Sequence, residues 1–330
     1  MEQDRVVRVG VVGIGRLGNY HLQKYNMMPE CAIVGVADIV EERASKAADT
    51  YKCEAFTDHR GLIGKVDAVS ITVPTKDHFV VARDFLAAGA DVLLEKPITT
   101  TLEEANELID TAEQKRAVFQ IGFVERFNPA VVALEKVIGR PLFIETHRLH
   151  PFFTRGTDVD VVLDLMIHDL DIILHFVKSS VENVDAVGVS ILSDKVDIAN
   201  ARVTFQDGCV ANITASRVTN KNMQKIRFFG FEGYHSIDYG KREIVSLCAR
   251  SGANGRLEIG VNDVEVKMQD PLEEEVRSFL RCVINRTAPL VSGREARDSL
   301  ELALCITEKI NSGRERILHA ADGRLAETVS

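Results

Sequence analysis

One apolar segment of the chain carries polar side chains whose spacing could support acid–base chemistry. Asp164 and His168 are four residues apart, so on a helix the carboxylate can hold the imidazole and raise its basicity. At about 100° per residue, Asp171 and His175 fall on the same narrow stripe, and Asp169 lies off it. Charged groups in so apolar a helix are costly to bury unless they are paired or face a cavity. The stripe is therefore a candidate site.

Three interpretations of this stripe are open. The side chains could form a satisfied network in the protein core. They could bind a metal, but four ligands from one straight helix cannot enclose an ion, so we predict no metal site. The third interpretation is general acid–base catalysis, in which His168 takes the proton of a hydroxyl while a hydride leaves the same carbon. A nicotinamide-binding fold upstream favours this third interpretation.

A glycine-rich motif near the N-terminus predicts such a fold. The motif Gly13-Ile14-Gly15-Arg16-Leu17-Gly18 directly follows a predicted strand and opens a helix. The first glycine permits a tight turn, the second lets the backbone approach a pyrophosphate, and the third allows close packing of helix on strand. The helix N-terminus presents free N–H groups and a positive dipole end to the phosphates.

An acidic residue completes the dinucleotide motif. Asp38 ends the second predicted strand, 20 positions after Gly18 (38 − 18). A carboxylate there accepts hydrogen bonds from the ribose hydroxyls and repels a 2′-phosphate, which favours NAD over NADP. The alternative is that Asp38 only caps the helix that begins near Val40. Because strand, glycines, helix and acid are all in register, we predict NAD as the cofactor.

Two tripeptides end predicted strands at the edge where open α/β sheets bind ligands. They are Val73-Pro74-Thr75 and Glu95-Lys96-Pro97. Lys96 is the more informative residue, because a cation that follows a buried strand points into the cofactor crevice. The alternative is an exposed lysine at a strand end. The proline after Lys96 fixes the turn and is a candidate for a cis bond.

The elements that must position these residues alternate, in the first part of the chain, between short β-rich runs and helices. This pattern indicates a parallel sheet with crossover helices. The predicted strands are Val6–Val12, Ala32–Ala37, Ala68–Val73, Val92–Leu94 and Val118–Ile121. The predicted helices are Leu17–Met27, Val40–Tyr51, Lys76–Ala88 and Leu102–Lys115, the last with a Thr101 and Glu104 capping box. We predict an α/β Rossmann domain, with a doubly wound parallel sheet, over residues 1–122.

The pattern changes after residue 122, and residues 123–330 are predicted to form an α+β domain with an open, mostly antiparallel sheet. The predicted strands are Leu142–Leu149, Val184–Leu192, Ala201–Phe205, Val210–Val218 and Ile226–Gly230, with Asp207-Gly208 closing one hairpin. Helices are predicted after Pro129 and at Val161–Val177, Leu272–Ile284 and Arg294–Asn311. We allow for the last helix packing back on the first domain, and we expect the C-terminal residues to form a solvated tail.

The composition is that of an ordinary globular protein, with 45% hydrophobic and 27% charged residues among 330. A net charge of −9 disfavours nucleic acid and anionic membranes as partners. No stretch approaches the roughly 20 apolar residues that span a membrane, and the N-terminal apolar run is too short for a signal peptide. The six cysteines include no CxxC pair, so we expect free thiols. These features predict a cytoplasmic protein without nucleic-acid or membrane partners.

Five motifs follow one another along the whole chain. They are the glycine turn with Asp38, VPTKDH (Val73 to His78), EKP (Glu95 to Pro97), GFVERFNP (Gly122 to Pro129) and DLMIHDLD (Asp164 to Asp171). In this order and spacing the chain resembles the glucose–fructose oxidoreductase/inositol dehydrogenase (Gfo/Idh/MocA) family of NAD(P)-dependent sugar oxidoreductases. The resemblance implies that Lys96, Asp164 and His168 are the catalytic residues. It also implies a second domain that binds substrate on one sheet face and commonly forms a dimer or tetramer with the other.

The motifs together give the candidate cofactor site. We assign to it Gly13, Ile14, Gly15, Arg16, Leu17, Gly18, Asp38, Val73, Pro74, Thr75, His78, Glu95 and Lys96.

One departure from the family pattern narrows the substrate. Many relatives that act on simple sugars or polyols carry Asn where this chain has Val124. The stretches VERFNPA (Val124 to Ala130) and RGTDVDVVLDLMIHD (Arg155 to Asp169) resemble the subgroup that oxidises the 3-hydroxyl of UDP-N-acetylglucosamine for envelope polysaccharide or lipid A synthesis. An acidic protein needs local arginines to bind the diphosphate of such a substrate. We assign to the substrate Arg126, Asn128, Arg148, Arg155 and His168, and the alternative for the arginines is surface ion pairing.

We therefore expect an NAD-dependent dehydrogenase that oxidises a secondary hydroxyl of a small-molecule sugar, foremost a nucleotide sugar. One alternative is a dehydrogenase or reductase of another sugar, polyol or nucleotide sugar. An alternative of another class is a non-catalytic NAD(H)-binding sensor. The intact set of Lys96, Asp164 and His168 weighs against the sensor, because a sensor has no need of a base beside the nicotinamide.

Overall fold

A computed structural model describes residues 6–152, 159–251 and 256–327, without the side chains of residues 251, 257 and 314–327. The chain divides into two compact units. The first comprises Met1–Phe127 and Gln269–Leu300, and the second comprises Asn128–Met268 and Glu301–Ser330. Relative to the predicted domains, 1–122 and 123–330, the first unit continues to Phe127 and also includes a C-terminal segment.

The first unit contains the predicted parallel sheet. Its strands are β1 Val7–Val12, β2 Cys31–Ala37, β3 Glu54–Phe56, β4 Ala68–Ile71, β5 Asp91–Glu95 and β6 Phe119–Gly122. They lie in the order β3-β2-β1-β4-β5-β6, and every neighbouring pair is parallel. The strand order reverses between β1 and β4, which is where doubly wound sheets bind ligands beyond the carboxyl ends of the strands. The predicted Rossmann architecture is confirmed.

The second unit contains the predicted open sheet. Its strands are β7 Pro141–Leu149, β8 Val181–Val189, β9 Ile198–Phe205, β10 Val210–Ser216, β11 Met223–Gly230, β12 Gly233–Asp238, β13 Glu243–Ser251 and β14 Leu257–Asn262. They lie in the order β14-β13-β12-β11-β7-β10-β9-β8. Only the pair β7 and β10 is parallel among the described strand pairs of this sheet. The predicted α+β class and the hairpin at Asp207-Gly208 are confirmed, and Gly208 has a φ of +88° that suits this turn.

Eight α-helices occur in the described residues. They are α1 Arg16–Asn26, α2 Glu41–Tyr51, α3 His78–Ala87, α4 Leu102–Lys115, α5 Pro129–Leu134, α6 Ile167–Phe176, α7 Pro271–Asn285 and α8 Gly293–Glu327. Helix α4 begins at its predicted cap, where the Thr101 hydroxyl accepts a hydrogen bond from the backbone N–H of Glu104 at 3.2 Å. Helix α8 continues past the predicted end at Asn311, so helical backbone replaces most of the predicted tail.

Helix α7 belongs to the core of the first unit, although it follows the second unit's strands in sequence. Val276 and Phe279 are fully buried in one cluster with Val9 of β1 and Leu22 of α1. Burial of such side chains contributes about 1.5–3 kcal/mol each. The last predicted helix corresponds to α8, of which only the part up to Leu300 belongs to the first unit, whereas the whole of α7 does.

Four strands were missing from the sequence prediction for physical reasons. Strand β3 has three residues at the sheet edge, and a run so short gives no period-2 pattern. Strand β12 buries His235 and Ile237 on one face, and the polar His235 weakens the apolar signal of that face. Strands β13 and β14, at the edge of the second sheet, keep mostly half-exposed or exposed positions on both faces. Their alternation of apolar and polar residues is correspondingly weak.

Two further expectations concern the whole chain. Within the described residues, no helix is both long and apolar enough to cross a membrane. All six cysteines are free thiols, as expected, and burial raises the pKa of Cys209 to about 11 and of Cys31 to about 12.

Candidate active site

The turn between β1 and α1 has the glycine features that the sequence predicted. Gly13 has a φ of +90°, and a Cβ there would lie 2.9 Å from backbone atoms of Thr72 and Val73. A Cβ at Gly18 would collide with the Gly13 carbonyl oxygen, whereas a Cβ at Gly15 would meet no heavy atom within 4 Å. The first and third glycines are therefore required by packing. The second leaves open space at the N-terminus of α1, as an anion-binding turn requires.

Thr72 holds this turn, and sequence reasoning missed it. Its hydroxyl donates to the carbonyl oxygen of Gly13 at 2.7 Å, immediately after β4. On the other side, the N–H of Gly13 donates to the carbonyl of Ala37 at 2.8 Å. The turn is thus tied to both strands that flank β1. A hydroxyl directly after a buried strand was the available signal.

Asp38 binds backbone N–H groups on both sides of the cofactor turn, and its role at the ribose stays a prediction. Its Oδ2 accepts a hydrogen bond from the N–H of Ile14 at 2.6 Å, and its Oδ1 accepts one from the N–H of Val40 at 2.8 Å. The carboxylate therefore joins the glycine turn to the start of α2. Arg43 Nη1 lies 4.0 Å from Oδ1. An ionised carboxylate has about four acceptor sites, so capacity is left for ribose hydroxyls.

His78 connects the two predicted strand ends. Its Nδ1 lies 2.7 Å from the carbonyl oxygen of Pro97, and its Nε2 lies 3.0 Å from that of Val73. Burial lowers the pKa of His78, against the opposite effect of these two carbonyl contacts. Both ring nitrogens of this buried imidazole contact backbone carbonyl oxygens, so the assignment of His78 to the cofactor stays a prediction. The loop that contains Pro97 also contains the half-buried Lys96, and the Lys96–Pro97 peptide bond is cis.

The remaining cofactor candidates follow the same edge of the first sheet. Arg16 and Leu17 are exposed on the first turn of α1, and the Arg16 guanidinium donates to the Tyr20 hydroxyl at 3.0 Å. Ile14 is buried, Pro74 is exposed, and Val73, Thr75 and Glu95 are half-buried.

Asp164 and His168 lie where the helix of the second unit begins with a wide turn. Val162–Met166 is π-helical and continues directly into α6, so the prediction of one straight helix is wrong at this turn. Asp160 starts the turn, since its Oδ1 accepts hydrogen bonds from two successive N–H groups at 3.0 Å. Asp164 and His168 are both half-buried. Single π-helical turns are frequent at functional sites, where they displace side chains from the regular helix surface.

His175, at the far end of the polar stripe, has a structural partner. His175 Nε2 lies 2.8 Å from a carboxylate oxygen of Glu135, and both side chains are partly exposed. Asp169, which the spacing placed off the stripe, is 1% exposed and carries a buried ion pair. A satisfied network thus accounts for part of this helix, and the catalytic interpretation concerns Asp164 and His168.

Arg148 is the partner of Asp169. Its Nε and Nη2 donate to the two carboxylate oxygens of Asp169, each at 3.0 Å. The guanidinium also lies over the ring of Tyr239, 4.8 Å from its centroid. The ion pair between Arg148 and Asp169 anchors the start of α6 to β7. A role for Arg148 at a substrate phosphate stays a prediction, because the bidentate edge of its guanidinium holds Asp169.

The other substrate candidates occupy different places. Arg126 is 2% exposed, and its Nη2 donates to Glu295 at 3.2 Å. Asn128 caps α5 and donates from Nδ2 to the carbonyl oxygen of Tyr239 at 3.1 Å. Arg155 lies outside the described residues. The assignment of all three to substrate stays a prediction.

The described candidates divide between the two units. The first unit carries the glycine turn, Asp38, Lys96 and Arg126, and the second carries Asn128, Arg148, Asp164 and His168. The first unit offers what a dinucleotide needs, namely a glycine turn at a helix N-terminus and an acceptor carboxylate. The second offers an imidazole and a carboxylate suited to proton transfer.

Comparison with known proteins agrees with this chemistry. Residues 7–123 match a family described as an oxidoreductase family with an NAD-binding Rossmann fold. Residues 132–236 match the GFO/IDH/MocA C-terminal domain.

Two relatives match nearly the full length of the chain in sequence. The UDP-N-acetylglucosamine 3-dehydrogenase of Acidithiobacillus ferrooxidans is 37% identical over 313 residues, which cover 94% of this chain and 99% of the relative. The scyllo-inositol 2-dehydrogenase (NAD(+)) of Bacillus subtilis is 25% identical over 334 residues, with coverages of 93% and 95%.

Solved structures of dehydrogenases have a similar fold over nearly the whole chain. The structure of the A. ferrooxidans UDP-N-acetylglucosamine 3-dehydrogenase has a TM-score of 0.86 at 36% identity, covering 93% of this chain and 98% of its own. A levoglucosan dehydrogenase in complex with NADH and L-sorbose has a TM-score of 0.84 at 20% identity, with coverages of 93% and 97%. At that identity, the second likeness shows the fold alone.

Proposed function

The chain belongs to the GFO/IDH/MocA family of NAD-binding oxidoreductases, and on that premise we propose that it oxidises the 3-hydroxyl of UDP-N-acetylglucosamine to the 3-keto sugar. The observation that carries this proposal is the 37% identity, over 94% of the chain, to an enzyme named for that reaction. Inositol dehydrogenases match at 25% identity over a similar length, or at 32% over half of the chain. That the protein is an NAD-dependent dehydrogenase follows from its family and its relatives.

The residues of the first unit fit the cofactor. Gly15 leaves the turn open toward a pyrophosphate, and Asp38 keeps acceptor capacity for ribose hydroxyls. Together with the loops at 73–75 and 95–97, they are the residues that would hold the dinucleotide. NAD+, when bound, supplies the acceptor for the hydride of the carbinol carbon.

Side chains of the protein accept the proton that leaves the sugar hydroxyl. In the proposed reaction, a ring nitrogen of His168 accepts the proton of the sugar hydroxyl. Asp164 orients the imidazole and stabilises the imidazolium that forms. The Lys96 ammonium donates a hydrogen bond to the reacting oxygen and stabilises its developing negative charge. A positioned base of this kind contributes about 100- to 10,000-fold to the rate.

The finer assignments rest on the family resemblance. Arg126, Asn128, Arg148 and Arg155 are proposed substrate residues, with the diphosphate as the group that needs arginine. The 3-keto product is a substrate for an aminotransferase, which would place the enzyme in envelope polysaccharide or lipid A synthesis in the cytoplasm. We also propose a homodimer or homotetramer formed through the open sheet. Exposed aliphatic side chains on its strands support that assembly; they are Val187, Val189, Val245, Ile259 and Val261.

The test is NADH formation by purified protein with NAD+ and UDP-N-acetylglucosamine, coupled to a glutamate-dependent aminotransferase that removes the ketone. Reduction of the untransaminated product with borodeuteride, followed by NMR, identifies the oxidised carbon. His168→Asn should lower kcat by about 100-fold or more. His175→Asn is the matched control on the same helix and should leave kcat unchanged, because its ring pairs with the carboxylate of Glu135 in a partly exposed place.

The outcomes separate the proposal from its rival. Turnover that needs the UDP group and puts deuterium at C3 supports the proposal. Turnover of free inositols or other sugars in preference to UDP-N-acetylglucosamine would instead favour the second candidate, a dehydrogenase of another sugar or polyol, which the inositol dehydrogenase relatives suggest. Unchanged kcat in His168→Asn would reject that residue as the base.

A further inference from the structure

A buried group of two carboxyls and one imidazole lies in the first unit. His21 on α1, Glu95 at the end of β5 and Glu275 on α7 each place a side-chain donor atom within 4.8 Å of the others. His21 and Glu275 are 0% exposed, and the side chain of Glu95 is 12% exposed. Glu95 directly precedes Lys96. The group therefore adjoins the loop on which the proposed reaction depends, yet neither His21 nor Glu275 is exposed to reach a ligand.

The protonation states of Glu95 and Glu275 decide whether this group can be buried. With both glutamates ionised and the histidine neutral, two negative charges would lie a few ångströms apart in a dry interior, which is strongly unfavourable. Both carboxyl oxygens of Glu275 are buried and have no hydrogen-bond partner among the described residues. Burial, and next the charge of Glu95, raise the pKa of Glu275 well above its ordinary value. A proton on Glu275 removes the conflict.

Glu95 has polar support on its other side. Its Oε1 lies 3.3 Å from Nε2 of His21, and Nδ1 of that ring lies 3.2 Å from the hydroxyl of Ser70. The Ser70 hydroxyl is in turn 2.7 Å from the hydroxyl of Tyr25. Burial raises the pKa of Tyr25, which keeps that hydroxyl protonated. Hydrogen bonds thus link Tyr25, Ser70 and His21, and the last step, from His21 to Glu95, is a close contact without hydrogen-bond geometry.

We propose that Glu275 is a neutral carboxylic acid beside Glu95, and that Glu275 and His21 together position the Glu95–Lys96 loop. Glu275 is a positioning residue in this scheme, because it acts on the reacting groups only through Glu95. A single negative charge at Glu95, next to His21 and the neutral Glu275, keeps the neighbouring Lys96 ammonium in one place. The catalytic part of this inference rests on the proposed function. The protonation of Glu275 does not.

Other titratable groups surround the pair and enter any pH dependence. From α1 come His21 and Tyr25. From α3 comes His78, whose pKa burial lowers against a smaller opposite effect of the Glu95 charge, and Lys96 follows Glu95 in the chain. Gln120 of β6 is uncharged and donates to the backbone carbonyl of Glu275 at 3.2 Å.

The first experiment is infrared spectroscopy of the full-length protein at neutral pH, as a difference between wild type and Glu275→Gln. A protonated carboxyl absorbs at higher frequency than a carboxylate and shifts in D2O. We expect a carboxylic-acid band that is lost in Glu275→Gln. Glu274→Gln is the matched control, since Glu274 is the preceding residue, is partly exposed and pairs with Arg277 and Arg281. The control should lose no such band.

The second experiment is the apparent Tm from pH 5 to pH 9. The pKa of Glu275 is higher in the folded chain than in the unfolded chain, so the folded state binds the extra proton. Stability associated with this carboxyl is therefore retained at low pH and is lost as pH rises above the unfolded pKa toward the folded one. Glu275→Gln cannot ionise. Its Tm relative to wild type should rise with pH, whereas that of Glu274→Gln should not.

The third experiment is the pH profile of kcat. Glu275→Gln keeps a neutral polar side chain beside Glu95 and should retain the wild-type profile. Glu275→Ala removes that polar side chain, so the acidic limb of the kcat profile should move upward by about half a pH unit or more. A merely structural role would lower Tm in both variants without moving the limb. If no sugar turns over, the proposed function fails, and the two other experiments still decide the protonation of Glu275.

Each outcome bears on the inference. Absence of the acid band, or a Tm difference that does not change with pH, would overturn the neutral carboxylic acid. A stoichiometric divalent metal in the purified protein, lost in Glu275→Gln, would overturn it as well. An acid band together with identical pH profiles in Glu275→Ala and Glu275→Gln would overturn the positioning role. The band, the Tm trend and the shifted limb together support the whole inference.

Discussion

Replacement of Arg148 by Met tests whether its guanidinium serves the fold or the substrate. In the structure, this side chain makes two hydrogen bonds of 3.0 Å with Asp169, and the two side chains are 4% and 1% exposed. Arg148→Met removes the cation and leaves the Asp169 carboxylate buried without it. We expect a large loss of stability in the second unit, with a secondary effect on turnover through the start of α6.

The expected magnitude follows from burial. Removing one partner of a buried ion pair costs about 3–5 kcal/mol, and the stacking of Arg148 on Tyr239 adds about 0.5–2 kcal/mol at a desolvated site. Arg227→Met is the matched control. Arg227 pairs with Glu145 at 2.6 Å, but both side chains are 34% exposed. An exposed pair of this kind contributes about 0–1 kcal/mol.

The assay is urea unfolding followed by far-UV circular dichroism, because the chain contains no tryptophan. The double variant Arg148→Met with Asp169→Leu completes a double-mutant cycle. Replacing both charges by apolar side chains should recover most of the loss, since no charge is left buried without a partner. KM for the nucleotide sugar is measured in parallel.

Two results together would refute this reasoning. They are a free energy of unfolding for Arg148→Met within about 1 kcal/mol of wild type, as for the exposed control, and a strongly raised KM. In that case the guanidinium serves the diphosphate, as the sequence analysis predicted. Loss of stability with little change in KM assigns it to the fold.

Two further predictions concern the cofactor. Gly15→Ala should fold with wild-type stability, because its Cβ meets no heavy atom within 4 Å, but that Cβ should weaken NADH binding by filling the open space of the turn. Gly18→Ala should lower Tm, because its Cβ collides with Gly13. Equal Tm values for the two variants would contradict the assigned roles. Asp38→Asn keeps acceptor oxygen but loses charge, so NAD affinity should fall about tenfold or more, by the strength of hydrogen bonds to charged groups, and discrimination against NADP should relax. Titrations of both cofactors check this, and unchanged affinities would reject Asp38 as the ribose ligand.

Several features could be predicted from the sequence because they depend on local spacing. The glycine turn with Asp38 is set within one strand–turn–helix unit, and its geometry follows from the steric needs of each glycine. The parallel strands are continuous apolar runs, and the cap at Thr101 is a short motif. The helical segment that carries Asp164 and His168 was also predicted, although its first turn is π-helical and not α-helical.

Other features could not be predicted because they depend on residues far apart in the chain. Asp169 lies off the polar stripe, so the spacing alone gave it no partner. Its partner is Arg148, which lies 21 positions earlier in the sequence and is brought to it by β7. Glu275 lies 180 positions after Glu95 (275 − 95) and looks, in sequence, like another charged residue of an amphipathic helix. The π-helical turn before α6 has no periodicity signal, because one widened turn does not alter the apolar run around it.

The sequence by itself determined the fold class, the place of the dinucleotide turn and the kinds of residue available for hydride-transfer chemistry, because each depends on residue type and short-range periodicity. Only the tertiary structure decided which charges are buried and with what partner. The packing of distant segments pairs Arg148 with Asp169 and places Glu275 beside Glu95. The physical reason is that the cost of a charge depends on its desolvation and on its neighbours. Neither is determined until distant segments pack together.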